Sequence, residues 1–255
     1  EFPALLKEIP DVPPFLYIKG GLPDPTENKY LAVVGSRKNS SYGKEVCEKL
    51  IEGLRGYPVV IVSGLAFGID SIAHEAALEA GLKTVAIPGS GLNEDVLYPA
   101  LNRKLAQKIL DMGGALISEF EPNFRATPYA FPQRNRIMAG ISEATLVVEA
   151  ERKSGTLITA RLALDYNRNV LTVPGSIFSK TSEGPHYLIR NGAIPVTKSE
   201  DILEALGFAV SGVPKNLALE IENCSPEEKK ILEILNEPLS RDELIRKSAL
   251  PANAV

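Results

Sequence analysis

Val59-Val60-Ile61-Val62-Ser63-Gly64-Leu65-Ala66-Phe67-Gly68-Ile69-Asp70 is the stretch on which the fold turns. Four β-branched residues in a row suit a strand buried on both faces. Ser63 and two glycines break the run, and helical spacing of apolar residues follows from residue 69 to about residue 80. The same alternation extends in both directions. Strands are expected at Leu31–Val34, Val59–Val62, Thr84–Ile87, Ala115–Ile117, Thr145–Val148 and Val170–Val173, with a weaker one at Ile194–Val196. Helices are expected near 41–55, 69–80, 99–112, 133–141, 156–167 and 199–206. Short apolar strands alternating with helices predict an α/β fold, a doubly wound and mostly parallel sheet covered on both faces.

The strand ends carry the chemistry. Val34-Gly35-Ser36-Arg37, Ser63-Gly64 through Gly68, Pro88-Gly89-Ser90-Gly91 and Pro174-Gly175-Ser176 each follow a strand. In a parallel sheet these turns share the carboxyl edge, where ligands bind. Glycine lets backbone N–H groups approach an anion, and helix N-termini add partial positive charge. Ser36 offers a hydroxyl and Arg37 a bidentate clamp for phosphate. Glycine also makes tight turns with no ligand, but four such turns on one edge, one of them carrying an arginine, favour an anion site. The dinucleotide fingerprint is absent: Gly89-Ser90-Gly91-Leu92-Asn93-Glu94 puts Glu94 where a third glycine belongs and follows the wrong strand.

Two further stretches fit the same edge. In Phe131-Pro132-Gln133-Arg134-Asn135-Arg136, Pro132 suits a helix start and places Arg134 in the first turn. Arg134 and Arg136 splay by about 200° on a helix, so they cannot face one phosphate together. One can take an anion while the other ties down the fold, and an internal salt bridge is open to either. Lys153-Ser154-Gly155-Thr156 has the composition of a phosphate cradle at a helix start, but its lysine precedes the glycine, unlike a P-loop.

The 255 residues allow one large domain and a small one, and the net charge of -4 does not advertise a polyanion partner. Residues 125–168 nevertheless hold seven Lys/Arg against four Asp/Glu, enough for a local basic patch. Residues 1–29, rich in Pro and Gly, read as an extended lead-in, with Phe15–Ile18 a short added strand. Residues 30–207 form the large domain and 208–224 a linker. Ser225-Pro226-Glu227-Glu228 opens a helix, another starts near Ser240, and 225–255 reads as a truncated, partial winged-helix segment. Cys47, in a helical pattern, reads as buried filler. With Cys224 it matches no metal or disulfide spacing, and no metal or cofactor is expected. No apolar run approaches the roughly 20 residues that span a bilayer, and the expected compartment is cytoplasmic.

Gly35-Ser36-Arg37, Ser63-Gly64-Leu65-Ala66-Phe67-Gly68-Ile69-Asp70, Phe131-Pro132-Gln133-Arg134-Asn135-Arg136 and Lys153-Ser154-Gly155-Thr156-Leu157-Ile158-Thr159-Ala160 occur in the order of the DNA-processing protein A (DprA/Smf) family, which the chain resembles over about residues 5–207. The resemblance implies an extended Rossmann-like fold that binds single-stranded DNA, forms a homodimer and helps load the recombinase RecA in natural transformation, with no catalysis. The DNA-contacting set it implies is Gly35, Ser36, Arg37, Gly64, Phe67, Gly68, Arg125, Phe131, Arg134, Asn135, Arg136, Lys153, Ser154 and Gly155. By that similarity Ser36 and Arg37 grip phosphate and Phe131 touches a base. Family members often carry a basic residue just before the Phe-Pro run. Pro128 stands there instead, and Arg125 is the substitute within reach in the sequence.

Two rival readings use a similar fold. A phosphoribohydrolase of the lysine-decarboxylase-like group needs a catalytic Glu where this chain has Thr159, and the Pro-Gly-Gly run before it is Arg152-Lys153-Ser154. Asp70 and His74 lie four apart and can share a helix face, while His186 reads as a loop residue with no paired nucleophile. A nucleotide-binding sensor would use the same strand-end crest for one small molecule.

Overall fold

A computed structural model describes residues 3–209, 225 and 241–248. The chain divides into two compact units, 1–210 and 211–255. The first holds an eight-stranded sheet: β1 (Tyr17–Gly20), β2 (Lys29–Val34), β3 (Val59–Ser63), β4 (Lys83–Ala86), β5 (Ala115–Ser118), β6 (Ala144–Val147), β7 (Asn169–Thr172) and β8 (Ile194–Pro195). Their order is β1-β5-β4-β3-β2-β6-β7-β8, and every neighbouring pair is parallel except β1 with β5. The doubly wound, mostly parallel α/β architecture expected from the sequence is therefore present.

Side chains alternate between the two faces of the central strands. Leu31, Val33, Val59 and Ile61 meet α2 (Ser41–Glu52), α3 (Ile69–Glu79) and α8 (Ser199–Ala205). Tyr30, Val34, Val60 and Val62 meet the opposite layer, built from α1 (Ala4–Lys7), α5 (Ala130–Ile141), α6 (Thr156–Asp165) and α7 (Glu183–Arg190). A third cluster under β4 and β5 is closed by Leu105 and Ile109 of α4 (Arg103–Asp111). Both faces are thus dry, which is why the strands read as unbroken apolar runs. Cys47 is fully buried in α2, as its helical pattern suggested.

Three local readings are corrected. Residues 4–20 are not an extended lead-in: α1 buries Leu6 against the α5 layer, and β1 pairs antiparallel with β5. The added strand starts two residues later than Phe15, at Tyr17. Proline density masked a one-turn helix too short for a periodicity test. His186 lies on α7 rather than in a loop, its Nε2 close to the Gly175 carbonyl oxygen at 3.0 Å. Gly184-Pro185 disguised that helix, because proline is tolerated in a first turn.

In the second unit, α9 (Arg241–Ser248) matches the helix expected near Ser240. The helix expected to follow Ser225 and the turn expected after Ser248 lie outside the described residues.

His74 is the most deeply placed titratable group on α3. It is fully buried, with Nδ1 2.7 Å from Thr84 Oγ1. The Thr84 hydroxyl donates to the Ile61 carbonyl, so the histidine Nδ1–H is the donor in that contact. Burial, and then the charge of Arg134, push its pKa down to about 3. A folded-state pKa below the unfolded value of about 6.5 means the unfolded chain takes up the proton first as pH falls. Stability from this group is complete above about pH 6.5 and declines from there toward pH 3. The urea midpoint of the intact chain is expected to drop between about pH 7 and pH 5, and to drop less in His74→Asn. Equal pH dependence in the two proteins would refute the assignment.

Candidate nucleic-acid interface

The chain leaves β2 toward β3 on one side and later returns to β6 on the other. That reversal leaves a crevice beyond the carboxyl end of β2, the usual ligand position in such sheets. A cleft of about 580 Å³ occupies it. Its walls come from the β2 exit (Gly35 to Lys38), the start of α3 (Asp70), the first turns of α5 (Phe131 to Met138) and the β6 exit (Glu151 to Thr156).

At the β2 exit the backbone is pinned and the cations are free to point outward. The Ser36 carbonyl accepts from Ile69 N–H at 3.1 Å, and the Gly35 carbonyl accepts from Thr156 Oγ1 at 3.0 Å. Ser36 Oγ accepts from Lys38 N–H at 3.1 Å, so its own proton remains available to a ligand. Arg37 and Lys38 are exposed, and the Arg37 guanidinium lies 5.0 Å from the centroid of the Phe131 ring. That contact holds the arginine over an aromatic face while leaving its N–H donors unspent.

The β3 exit is shaped by a buried polar pair. Asp70 Oδ2 accepts from Gly64 N–H at 3.1 Å and from Ala66 N–H at 3.4 Å. Arg134, 4% exposed, donates through Nη1 to the carbonyls of Gly64, at 2.6 Å, and Ile87. Its Nε donates to Asn135 Oδ1 at 3.0 Å. Burial pulls the Arg134 pKa down to about 10, Asp70 pushes the other way, and the group stays cationic at neutral pH. Burial raises the Asp70 pKa, against the lowering by Arg134, the two amides and Arg37. Gly68, at φ +76°, lies against the Ser36 carbonyl, where a Cβ would collide. The turn this clamp holds carries Phe67 outward, 40% exposed.

The structure distributes the expected residues unevenly. Gly35, Ser36, Arg37, Phe131, Arg134, Asn135, Lys153, Ser154 and Gly155 all line the main cleft. Gly64 and Phe67 line a small adjoining pocket with Tyr98. Gly68 caps α3 between them. Arg125 is exposed on the β5–α5 connection and lines neither cavity. Arg136 donates to the Asp11 carbonyl and forms a salt bridge with Glu119. Of the two alternatives left open for the paired arginines, both are therefore tied down inside the fold. The helix starts at Ala130, two residues before the proline, so Arg134 belongs to its second turn and not its first. His74, expected to share a face with Asp70, is sealed in the core, and Thr159 is buried.

Two contributors were missed. Lys38 beside Arg37 was visible as a second cation. Tyr98, 44% exposed and 5.7 Å from the Phe131 centroid, sits in a loop with no local pattern to announce it.

Comparison with known proteins fits this geometry. The family model of DNA recombination-mediator protein A matches residues 1–207. The chain belongs to the DprA/Smf family. It is 43% identical over 230 residues to Protein Smf of Escherichia coli, covering 90% of this chain and 60% of that one. It is 44% identical over 207 residues to DNA processing protein DprA of Streptococcus pneumoniae, covering 81% of this chain and 72% of that one. The X-ray structure of DprA from Streptococcus pneumoniae superposes with a TM-score of 0.74 at 42% identity, covering 82% of this chain and 72% of that one. DNA processing protein A from Helicobacter pylori, described with a unique single-stranded DNA binding mode, superposes with a TM-score of 0.71 at 30% identity, covering 81% of this chain and 93% of that one. The match thus spans 60% of the length of the E. coli relative.

Among the described residues no helix is long and apolar enough to cross a membrane, and no group of His, Cys, Asp and Glu could hold a metal.

The two arginines nearest the cleft should separate cleanly in stability. Arg134→Gln removes a buried charge that Gly64, Ile87 and Asp70 depend on, and is expected to cost about 3 kcal/mol or more. Arg37→Ala, at the exposed rim, is expected to stay within about 0.5 kcal/mol of the parent. Urea denaturation of both variants decides between this ordering and its reverse.

Proposed function

We propose that this chain binds single-stranded DNA along the carboxyl edge of its sheet, gripping the backbone with Arg37 and stacking bases on the aromatic group beside it. The observation that carries the reading is Arg37 itself: exposed, held 5.0 Å from the Phe131 centroid, at the mouth of the cleft at the sheet's reversal point. Phosphate is attracted by a bidentate guanidinium, and bases of any identity stack on an aromatic face. Phe131, Tyr98 and Phe67 supply such faces on one side of Arg37, while Lys38 and Lys153 add charge around the cleft. The description of the Helicobacter pylori relative as a single-stranded DNA binder supports the same choice of ligand.

Ser36, Ser154 and Gly155 complete the phosphate-facing set. Arg134, Asn135 and Asp70 act behind it by holding the Gly64–Gly68 turn and the start of α5 in place. Arg125 stands outside the cleft and is not part of this set. In this reading the protein protects the strand and hands it to the recombinase RecA in natural transformation, as a homodimer in the cytoplasm. The family's description as a recombination mediator supports that part. The role is one of binding, not turnover. Asp70 spends its carboxylate on backbone amides, His74 is sealed, and His186 lies against a backbone carbonyl.

Arg37→Ala is expected to weaken oligo-dT binding at least about tenfold, or 1.4 kcal/mol, with circular dichroism unchanged. The slope of log affinity against log salt should fall by about 0.7, the share of one phosphate contact. Unchanged affinity and slope in a folded variant would remove Arg37 from the interface. A nucleotide sensor would instead saturate with one mononucleotide and gain nothing from longer strands.

A further inference from the structure

The β7 exit carries a feature that the reading above leaves unused. Pro174-Gly175-Ser176-Ile177-Phe178-Ser179 leaves the carboxyl edge, and Ile177 and Phe178 are 80% and 92% exposed. The turn behind them is well held. Tyr42 Oη donates to the Pro174 carbonyl at 2.7 Å, His186 Nε2 lies 3.0 Å from the Gly175 carbonyl oxygen, and Ser179 N–H donates to the Ser176 carbonyl at 3.1 Å. Phe178 N–H donates to Ser176 Oγ at 3.3 Å. The loop thus fixes two apolar side chains into solvent.

Its surroundings are those of a nucleic-acid surface. Arg152 and Lys153 at the neighbouring β6 exit and Lys180 just beyond Phe178 are all exposed, with Glu151 and Glu183 as the exposed acids of the same segments. The Arg152 guanidinium lies 3.9 Å from the centroid of the Tyr187 ring on α7. Ser176 and Ser179 flank the apolar pair in the chain, and Tyr42, bonded to the Pro174 carbonyl, and Tyr187, under Arg152, are themselves 47% and 38% exposed. Exposed aromatics among hydroxyls and cations are the composition of a base-stacking platform, and Phe178 is the most exposed of them at 92%.

Strand order sets where this platform stands. Across β4-β3-β2-β6-β7 the exits present Tyr98, Phe67, then Arg37 and Lys38, then Arg152 and Lys153, then Phe178. Aromatics therefore lie on both sides of a central cationic cleft, in the connections that follow β4, β3 and β7, and β4 and β7 themselves stand four strand spacings, about 19 Å, apart. We propose that Phe178, with Ile177, is a second base-stacking station for the same DNA strand, reached only by nucleotides that have passed over the Arg37–Lys153 cleft. The proposal rests on the single-stranded DNA reading.

Binding of the full chain to oligo-dT of about 5 and about 20 nucleotides, within and beyond one module's usual footprint, tests it. Phe178→Ala is expected to weaken the long oligonucleotide at least about fivefold and to leave the short one unchanged, whereas Phe131→Ala weakens both. The chain contains no tryptophan, so Phe178→Trp gives a single reporter whose emission should be quenched by the long oligonucleotide and not by the short one. If Arg37→Ala weakens binding but Phe178→Ala changes neither length and the reporter stays unquenched, the second station is wrong and the first reading survives. If Phe178→Ala instead alters the association state and not DNA affinity, the loop is a protein contact and the proposal is overturned. If the parent chain binds neither oligonucleotide, both readings fall together.

Discussion

Gly64 gives both of its backbone groups to buried side chains: its N–H to Asp70 and its carbonyl to Arg134. The rest of the binding edge depends on this double clamp. The same guanidinium reaches the Ile87 carbonyl at the β4 exit, so one residue on α5 ties together the ends of two strands and the helix that walls the cleft. A Cβ at Gly64 would run into that guanidinium, which makes glycine the residue that fits. Leu65, next in the chain, takes a left-handed φ of 58° and is nonetheless fully buried. Such a backbone costs about 1–2 kcal/mol for a side-chain-bearing residue. The charged hydrogen bonds on either side of it, at roughly 1.5–3 kcal/mol each, are large enough to hold it.

The clamp also divides labour between arginines that look alike in sequence. Arg134 lies in the wall of the cleft, yet its donors are turned to carbonyls and its charge is balanced by Asp70. Arg37 stands at the rim with its donors unspent, close enough for its charge to lower the Arg134 pKa. A fixed internal pair behind a free cation is the order the proposed phosphate site calls for: the rigid part sets the geometry, and the exposed part is left to meet a ligand without first breaking an internal bond.

Much of this was legible in the sequence. Apolar runs without alternation gave away strands buried on both faces, and the glycines after them marked one edge, because strand and turn signals act over a few residues. The place of Arg37 on the carboxyl edge was legible for the same reason, since it lies three residues past a strand end. What escaped was decided over long distance. Arg134 and Arg136 could not be assigned because their partners, Gly64, Ile87, Asp11 and Glu119, lie far away in the chain. Tyr98 and the apolar tip at Phe178 gain meaning only when the sheet order places them on the same edge as Arg37. α7 was hidden by a proline that a first turn tolerates, and α1 by the prolines around it and its length of four residues.

Charge is where local counting misled most. The 125–168 window looked basic, with seven cations against four acids. Yet Arg134 and Arg136 are spent internally, and Arg168 is held by the Leu5 carbonyl and Glu8. Two of the acids are spent as well: Glu143 on Lys29 and the Tyr30 amide, and Glu149 on Ser40 and Thr181. The cations left on the cleft rim, Arg37 and Lys38, lie outside the window and join Lys153 only because β2 and β6 are neighbours. A net charge of -4 is equally uninformative about that rim. Exposed charges more than about 8–10 Å away are largely screened at physiological salt. What a phosphate meets is set by the few groups that parallel strands bring to one edge, and that is a property of topology before it is one of composition.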